Sequence, residues 1–120
     1  MRPTLANIGS YEHPNLRSFV PDDPARVATH LFIDVGRKGH KGTTQFTVFL
    51  ATPAGLADLS PGDEAVIKHG RMLVVQAYDY DVVWAWVDAQ LQQCEAATWP
   101  EVVERLRRGL DWEHDYERSP

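Results

Sequence analysis

The order of hydrophobic patterns along the chain predicts an α+β fold. We expect a mostly antiparallel β-sheet, two helices in the C-terminal half packed on one of its faces, and a short final strand. Period-two alternation dominates the first half of the chain, whereas apolar residues at helical spacing appear only after residue 78. A length of 120 residues is sufficient for one hydrophobic core, so a single domain is expected over residues 1–120.

The N-terminal segment predicts a strand followed by a loop. Residues 3–13 alternate weakly, which indicates a first strand with a kink near Gly9. Residues 14–25 contain three prolines and therefore form a loop. Phe19 and Val20 are the apolar residues expected to anchor this loop to the core.

The strongest strand signal is a hairpin formed by residues 26–36 and 43–52. Apolar residues alternate with period two in both segments, and the turn between them is rich in glycine and lysine. One face of this hairpin is expected to lie under the helices. That face carries Val27, Thr29, Leu31, Ile33 and Val35 on the first strand and Phe46, Val48 and Leu50 on the second.

The segment after the hairpin is less regular. A short helical turn is expected to hold Leu56 and Leu59, and residues 61–63 suit a turn. Residues 65–69 are expected to add a short strand. Residues 72–78 are apolar enough to predict an inner strand of the sheet.

Two amphipathic helices and an alternating segment complete the chain. The apolar stripe of the first helix is Val83, Trp86, Val87, Leu91 and Cys94. The second helix is expected to begin at Thr98, because Thr-Trp-Pro-Glu combines a capping residue, a proline in the first turn and a glutamate that completes a capping box. The apolar face continues through Val102, Val103, Leu106 and Leu110. Residues 111–117 then alternate acids with Trp112, His114 and Tyr116, as in an edge strand.

The charge of the chain is negative and unevenly distributed. The formal net charge is -5; residues 1–75 carry +1, and residues 76–120 carry -6. This balance argues against general binding to nucleic acid or to an anionic membrane. The single cysteine excludes an internal disulfide, and the chain has neither a signal-peptide pattern nor a long apolar run, so we expect a cytoplasmic protein.

No motif of catalysis, metal binding or cofactor binding is evident. None of the five histidines pairs with another at the spacing typical of metal ligands. The serines lack the motif of an activated nucleophile, and Cys94 is expected to be a small core residue. The glycine-rich segment 36–42 lacks the strand–loop–helix setting and the Gly-Lys-Ser/Thr ending of a phosphate-binding loop. We therefore expect no catalytic, metal or cofactor site.

The order of short motifs resembles the immunity protein 8 family of bacterial polymorphic-toxin systems. The motifs of the first half are Pro21-Asp22-Asp23-Pro24, Phe32-Ile33-Asp34-Val35-Gly36 with Lys38-Gly39, and Phe46 with Thr52-Pro53 and Leu56. Those of the second half are Tyr78-Asp79-Tyr80-Asp81, Thr98-Trp99-Pro100-Glu101-Val102, Trp112-Glu113 and Asp115-Tyr116. The resemblance implies a small cytoplasmic α+β protein that binds a toxin domain and blocks it, without catalytic residues.

The candidate partner-binding residues are acids of the C-terminal half. Many toxin domains that attack nucleic acids are basic, and an acidic face would attract them. The candidates are Asp79, Asp81, Asp88, Asp111, Glu113, Asp115 and Glu117. A structural explanation competes for each group, because Asp79 or Asp81 can cap the first helix and the tail acids can keep an exposed edge strand soluble.

Two other classes of function stay open. One is a small enzyme whose site is assembled from dispersed carboxylates and histidines, which would require an apolar pocket with converging titratable groups. The other is an adaptor subunit of another complex. A neighbouring gene that encodes a large secreted toxin would favour the immunity function over the adaptor.

Overall fold

The computed structural model describes residues 1–59 and 71–114 and has the predicted α+β architecture. The strands are β1 (Pro3–Gly9), β2 (Ala28–Arg37), β3 (Thr43–Ala51), β4 (Met72–Val74) and β5 (Asp111–Trp112). The helices are α1 (Pro53–Ala57), α2 (Tyr80–Gln92) and α3 (Trp99–Leu106), with a short 3-10 helix at Leu16–Ser18.

The five strands form one sheet in the order β1-β2-β3-β4, with β5 also paired to β3. The pairs β1–β2, β2–β3 and β3–β5 are antiparallel, whereas β3–β4 is parallel. One edge of β3 thus has two partners: Phe46 and Thr47 pair with β5, and the last three residues of the strand pair with β4. The sheet is therefore mostly antiparallel, as the sequence predicts.

Side-chain alternation in the hairpin places one face of the sheet in the core. Leu31, Ile33 and Val35 of β2 are fully buried, and β3 contributes three more buried side chains, Phe46, Val48 and Leu50. The helices cover this face with Val83, Val87 and Leu91 of α2 and Val102, Val103 and Leu106 of α3. The predicted helical stripe is confirmed, although Trp86 and Cys94 are only partly buried at the margin of the core.

The loop after β1 reaches the core through a different residue from those expected. Strand β1 ends at Gly9, where a Cβ would lie 2.3 Å from the carbonyl oxygen of Pro14, because the chain folds back on itself there. Leu16 of the 3-10 helix is fully buried, and Phe19 packs against the core. Val20, however, is 84% exposed, so its predicted role as an anchor is wrong.

The predicted inner strand over residues 72–78 is the main error in the secondary structure. Only Met72–Val74 form a strand, and Met72 and Val74 are 40% and 53% exposed. Within the described residues, β4 lies at an edge of the sheet, because β3 is the only strand that pairs with it. The predicted helical turn is present as α1, which contains Leu56 at an exposed position and ends before Leu59. The predicted turn at 61–63 and strand at 65–69 lie outside the described residues.

The N-terminus of α3 has the predicted cap. The Thr98 hydroxyl accepts a hydrogen bond from the Glu101 backbone amide at 3.4 Å and donates one to the Glu101 carboxylate at 3.0 Å. Pro100 occupies the first turn, where its missing amide hydrogen costs nothing. The glutamate therefore closes the cap through the threonine hydroxyl rather than through the backbone amide of Thr98.

We expect Thr98→Ala to lower the free energy of unfolding by about 1 kcal/mol, because the backbone amide of Glu101 loses its acceptor. Urea denaturation followed by circular dichroism measures this loss. Thr98→Ser keeps the hydroxyl and is the matched control, with a smaller expected loss. Equal losses in the two variants would show that the methyl group, and not the cap, is responsible.

Candidate functional site

The acids at the start of α2 have two different roles. The Asp79 carboxylate caps the helix by accepting hydrogen bonds from the backbone amides of Asp81 and Val82, at 2.9 and 3.4 Å. This confirms the structural alternative for Asp79. Asp81 lies in the first helical turn, is exposed, and has no ion pair or side-chain hydrogen bond within the described residues. Its negative charge is therefore open to solvent.

Asp88 lies further along α2 and is partly buried. Its carboxylate accepts a hydrogen bond at 3.0 Å from the side-chain amide of Gln92, one helical turn later. This contact uses part of its hydrogen-bonding capacity within the helix.

The tail acids attach the C-terminal segment to the sheet. The Asp111 carboxylate accepts a hydrogen bond at 2.7 Å from the backbone amide of Arg71. One oxygen of Glu113 accepts hydrogen bonds from the hydroxyl of Thr44 and the backbone amide of Gln45, both at 3.2 Å. Glu113 thus satisfies an edge amide of β3 next to its pairing with β5. Asp115 and Glu117 lie outside the described residues.

The structure separates the acids at the start of α2 from Glu113 of the tail. The start of α2 lies near the open end of the β2–β3 hairpin, because the Val75 amide bonds to the Ala51 carbonyl and the Tyr78 amide bonds to the Pro24 carbonyl. Glu113 lies beside Gln45, six residues earlier on β3, which corresponds to roughly 20 Å. Asp79 and Asp81 are therefore separated from Glu113 along β3, whereas Asp111, which bonds to Arg71 beside Phe49, lies nearer to the start of α2.

The start of α2 instead adjoins two acids of the proline-rich loop, Asp22 and Asp23. The hydrogen bond from the Tyr78 amide to Pro24 is 2.7 Å long, and the rings of Phe19 and Tyr78 pack edge to face with centroids 5.0 Å apart. Both loop acids are exposed. The open end of the hairpin thus carries acids from two distant parts of the chain.

A groove of about 500 Å³ lies at this end of the sheet, between the loop and the beginning of β2. We call it the acidic groove. Its charged lining residues are Glu12, Asp22, Asp23 and Arg26, and its other lining residues are Ser10, Tyr11, His13, Phe19, Pro21, Val27, Ala28 and Thr29. The three carboxylates outnumber the single guanidinium group.

That guanidinium group is already engaged. Arg26 donates to both carboxylate oxygens of Asp58, at 2.8 and 2.9 Å, and lies 3.7 Å from the Asp23 carboxylate. The hydrogen bond to Asp58 raises the pKa of Arg26. Glu12 and Asp22 are exposed and have no such cation within the described residues, so the groove retains an excess of negative charge.

Burial shifts two side chains outside the groove, Tyr78 and Cys94, towards their protonated forms. Burial raises the pKa of Tyr78 to about 12, so its phenol is protonated at neutral pH. Burial also raises the pKa of the Cys94 thiol, which disfavours the reactive thiolate. Within residues 1–59 and 71–114, no group of three or more histidine, cysteine or acidic side chains has the arrangement of a metal site.

The cationic turn of the hairpin lies at the opposite end of the sheet from the groove. Gly39 and Gly42 adopt positive φ angles of 81° and 87°, which shape the turn. The Arg37 guanidinium stacks over the Trp99 ring, 5.0 Å from its centroid. This contact packs the turn against α3. One of the positive charges of the turn therefore has a structural role.

The acidic groove is the feature that the sequence did not reveal. Its acids were visible in the motif Pro21-Asp22-Asp23-Pro24, but as ordinary loop residues. The only local signal was the short spacing of prolines around a pair of acids, which limits the freedom of the loop. The contacts that bring this loop to the start of α2 are distant in sequence.

Comparison with known proteins gives one match. The family model described as immunity protein 8 matches residues 4–116 of the 120-residue chain. No curated protein and no solved structure matches. In the described part of the chain, no helix has both the length and the hydropathy needed to cross a membrane.

Proposed function

The chain belongs to the immunity protein 8 family, and from this membership we propose that it binds a cognate bacterial toxin domain in a stoichiometric complex and so neutralises it. The family match over residues 4–116 is the observation that carries the proposal. Neutralisation by binding requires a surface that complements the toxin, but neither a cofactor nor a catalytic group. We place this action in the cytoplasm, where a toxin domain would meet the protein.

The distribution of charge supports a basic protein partner. The start of α2 and the neighbouring loop carry Asp79, Asp81, Asp22 and Asp23 on the same end of the molecule. Carboxylates gathered on one surface attract an oppositely charged protein and accelerate its association. An enzyme that acts on nucleic acid presents such a positive surface to its substrate, so an inhibitor with this charge competes for the same surface.

Of the five candidate acids that the structure describes, Asp81 is the best placed for this attraction. Asp79, Asp88, Asp111 and Glu113 all accept hydrogen bonds within the chain, whereas Asp81 is exposed and accepts none within the described residues. Replacing Asp81 therefore changes the charge with little change to the fold.

The experiment that tests the function is a titration of the toxin domain encoded beside this gene. We expect its activity to fall in proportion to added protein and to disappear at a ratio of 1:1, with a complex of matching mass by light scattering. Full toxin activity in the presence of excess folded protein would refute the proposal. A slow loss of toxin activity at amounts of the protein well below 1:1 would instead indicate an enzyme that inactivates the toxin.

We expect Asp81→Lys to slow association with that toxin on the order of three- to tenfold at low salt, because the reversal weakens long-range attraction. Raising the salt concentration should reduce this difference. Stopped-flow fluorescence measures the association rate. Glu95→Lys is the matched control, since Glu95 is also exposed but lies beyond the other end of α2. Equal rates for both variants and the native protein would exclude the start of α2 as an attracting surface.

A further inference from the structure

The outward face of the sheet carries more aromatic side chains than a solvent-exposed face usually does. Antiparallel sheets with one face on the core usually present polar residues on the other. Here the face turned away from α2 and α3 carries His30 and Phe32 on β2, which are partly buried, and Phe49 on β3, which is only 3% exposed. The rings of His30 and Phe49 pack edge to face, with centroids 4.8 Å apart.

This aromatic surface extends to the end of the sheet that holds the acidic groove. The Tyr11 ring packs edge to face on Phe32 with centroids 4.8 Å apart, and Tyr11 is nevertheless 78% exposed. Tyr11 also lines the groove. An exposed aromatic ring, supported from below by a second ring, is typical of the anchor residues of protein interfaces.

Further apolar side chains continue the surface towards β4. Met72 is the register partner of Phe49, and Val74 is the partner of Ala51, so both lie on the same outward face. They are 40% and 53% exposed. The outward aromatic strip thus has exposed side chains at Tyr11, Met72 and Val74 around the buried ring of Phe49, and the acidic groove lies at its end. This is the arrangement of an interface core beside a charged rim.

The rim of this surface is acidic. Glu12, Asp22 and Asp23 line the groove, and Asp34 lies two residues from Phe32 on the same face of β2. Among the described lining residues, Arg26 is the one arginine or lysine, and its guanidinium bonds to Asp58. The charge therefore complements a cationic partner.

We propose that the outward aromatic strip and the acidic groove together dock a basic segment of the toxin domain, with Tyr11 as the anchor and an arginine or lysine of the toxin in the groove. This inference rests on the proposed function and names the surface that performs it. A volume of about 500 Å³ lies within the range of sites that enclose small ligands and is sufficient for a long cationic side chain and its neighbours.

The test measures the Kd and the association rate of two variants with the toxin domain encoded beside this gene. Tyr11→Ala removes the anchor and should weaken binding about tenfold or more, mainly through faster dissociation. Asp22→Lys reverses a groove charge and should slow association severalfold at low salt and less at high salt. Thermal unfolding of each variant, followed by circular dichroism, establishes that it is folded at the temperature of the assay.

Val20→Ala is the control for Tyr11→Ala. Val20 belongs to the same loop region and is 84% exposed, but it does not line the groove. Its variant should bind as the native protein does. If Tyr11→Ala and Asp22→Lys both bind the toxin with the Kd and association rate of the native protein, this surface does not dock the toxin. The proposed function would be unaffected by that result. A native protein that fails to bind the toxin at all would overturn both.

Discussion

Gly55→Ala should destabilise the protein by about 3 kcal/mol or more, because the new methyl group has no space. A Cβ at this position would lie 2.1 Å from the carbonyl oxygen of Val27 and 2.5 Å from its carbonyl carbon. These are backbone atoms beside the start of β2, so a side-chain rotation cannot relieve the overlap. Either α1 or the beginning of β2 has to move.

Urea denaturation of Gly55→Ala and of a second glycine variant measures this effect. Gly109→Ala adds the same methyl group at an exposed position, where the nearest atom is the Gln90 side-chain oxygen at 3.8 Å. Its stability should be unchanged or slightly higher, since alanine restricts the unfolded chain. If both variants unfold at the same urea concentration as the native protein, α1 does not pack against the start of β2 as closely as the structure indicates.

Thr52→Val should lower the free energy of unfolding by about 2–4 kcal/mol, although the two side chains have almost the same shape. The Thr52 side chain is fully buried. Its hydroxyl donates to the Ala25 carbonyl at 2.6 Å and accepts from the amides of Val27 and Gly55 at 3.0 and 3.1 Å. Valine leaves these three backbone groups without that partner in a buried site.

The matched variant for this measurement is Thr52→Ser, which keeps the hydroxyl and removes one methyl group. We expect it to lose about 1 kcal/mol, the value of a buried methyl group. Both proteins are compared by urea denaturation. An unchanged slope of the transition indicates that unfolding remains two-state. A serine variant as unstable as the valine variant would assign the effect to packing instead of hydrogen bonding.

The elements that the sequence predicts correctly are those determined by neighbouring residues. Alternation in β2 depends only on which side of the strand each residue occupies, so Leu31, Ile33 and Val35 were assigned to the core without knowledge of the sheet order. The start of α3 was equally local, because Thr98 and Glu101 are three residues apart.

The errors concern residues whose surroundings are set by distant parts of the chain. Met72 and Val74 belong to an apolar run, and periodicity does not distinguish a central strand from one at a border. Their exposure follows from the position of β4 beside β3 alone, within the described residues. Val20 is exposed, and the loop contacts the core through Leu16 and Phe19 instead.

The candidate site was only partly predictable for the same reason. The cap formed by Asp79 follows from its neighbours in sequence, but its proximity to the loop acids depends on the hydrogen bond between Tyr78 and Pro24. The Arg26–Asp58 pair, which leaves the groove acidic, joins residues 32 positions apart. The sequence therefore singles out acids of the C-terminal half, and the structure brings a different set of acids, those of the groove, close to Tyr11.

The pairing of β3 with β5 determines when the sheet can be completed during translation. Phe46 and Thr47 pair with Trp112 and Asp111, which are synthesised more than sixty residues later. Until these leave the ribosome, a nascent chain carries this stretch of an apolar strand without β5 to cover its edge, and open strand edges readily pair with other chains. The sheet is therefore complete only after Asp111 and Trp112 have been synthesised, and chaperones that shield nascent chains would act on the protein in that interval.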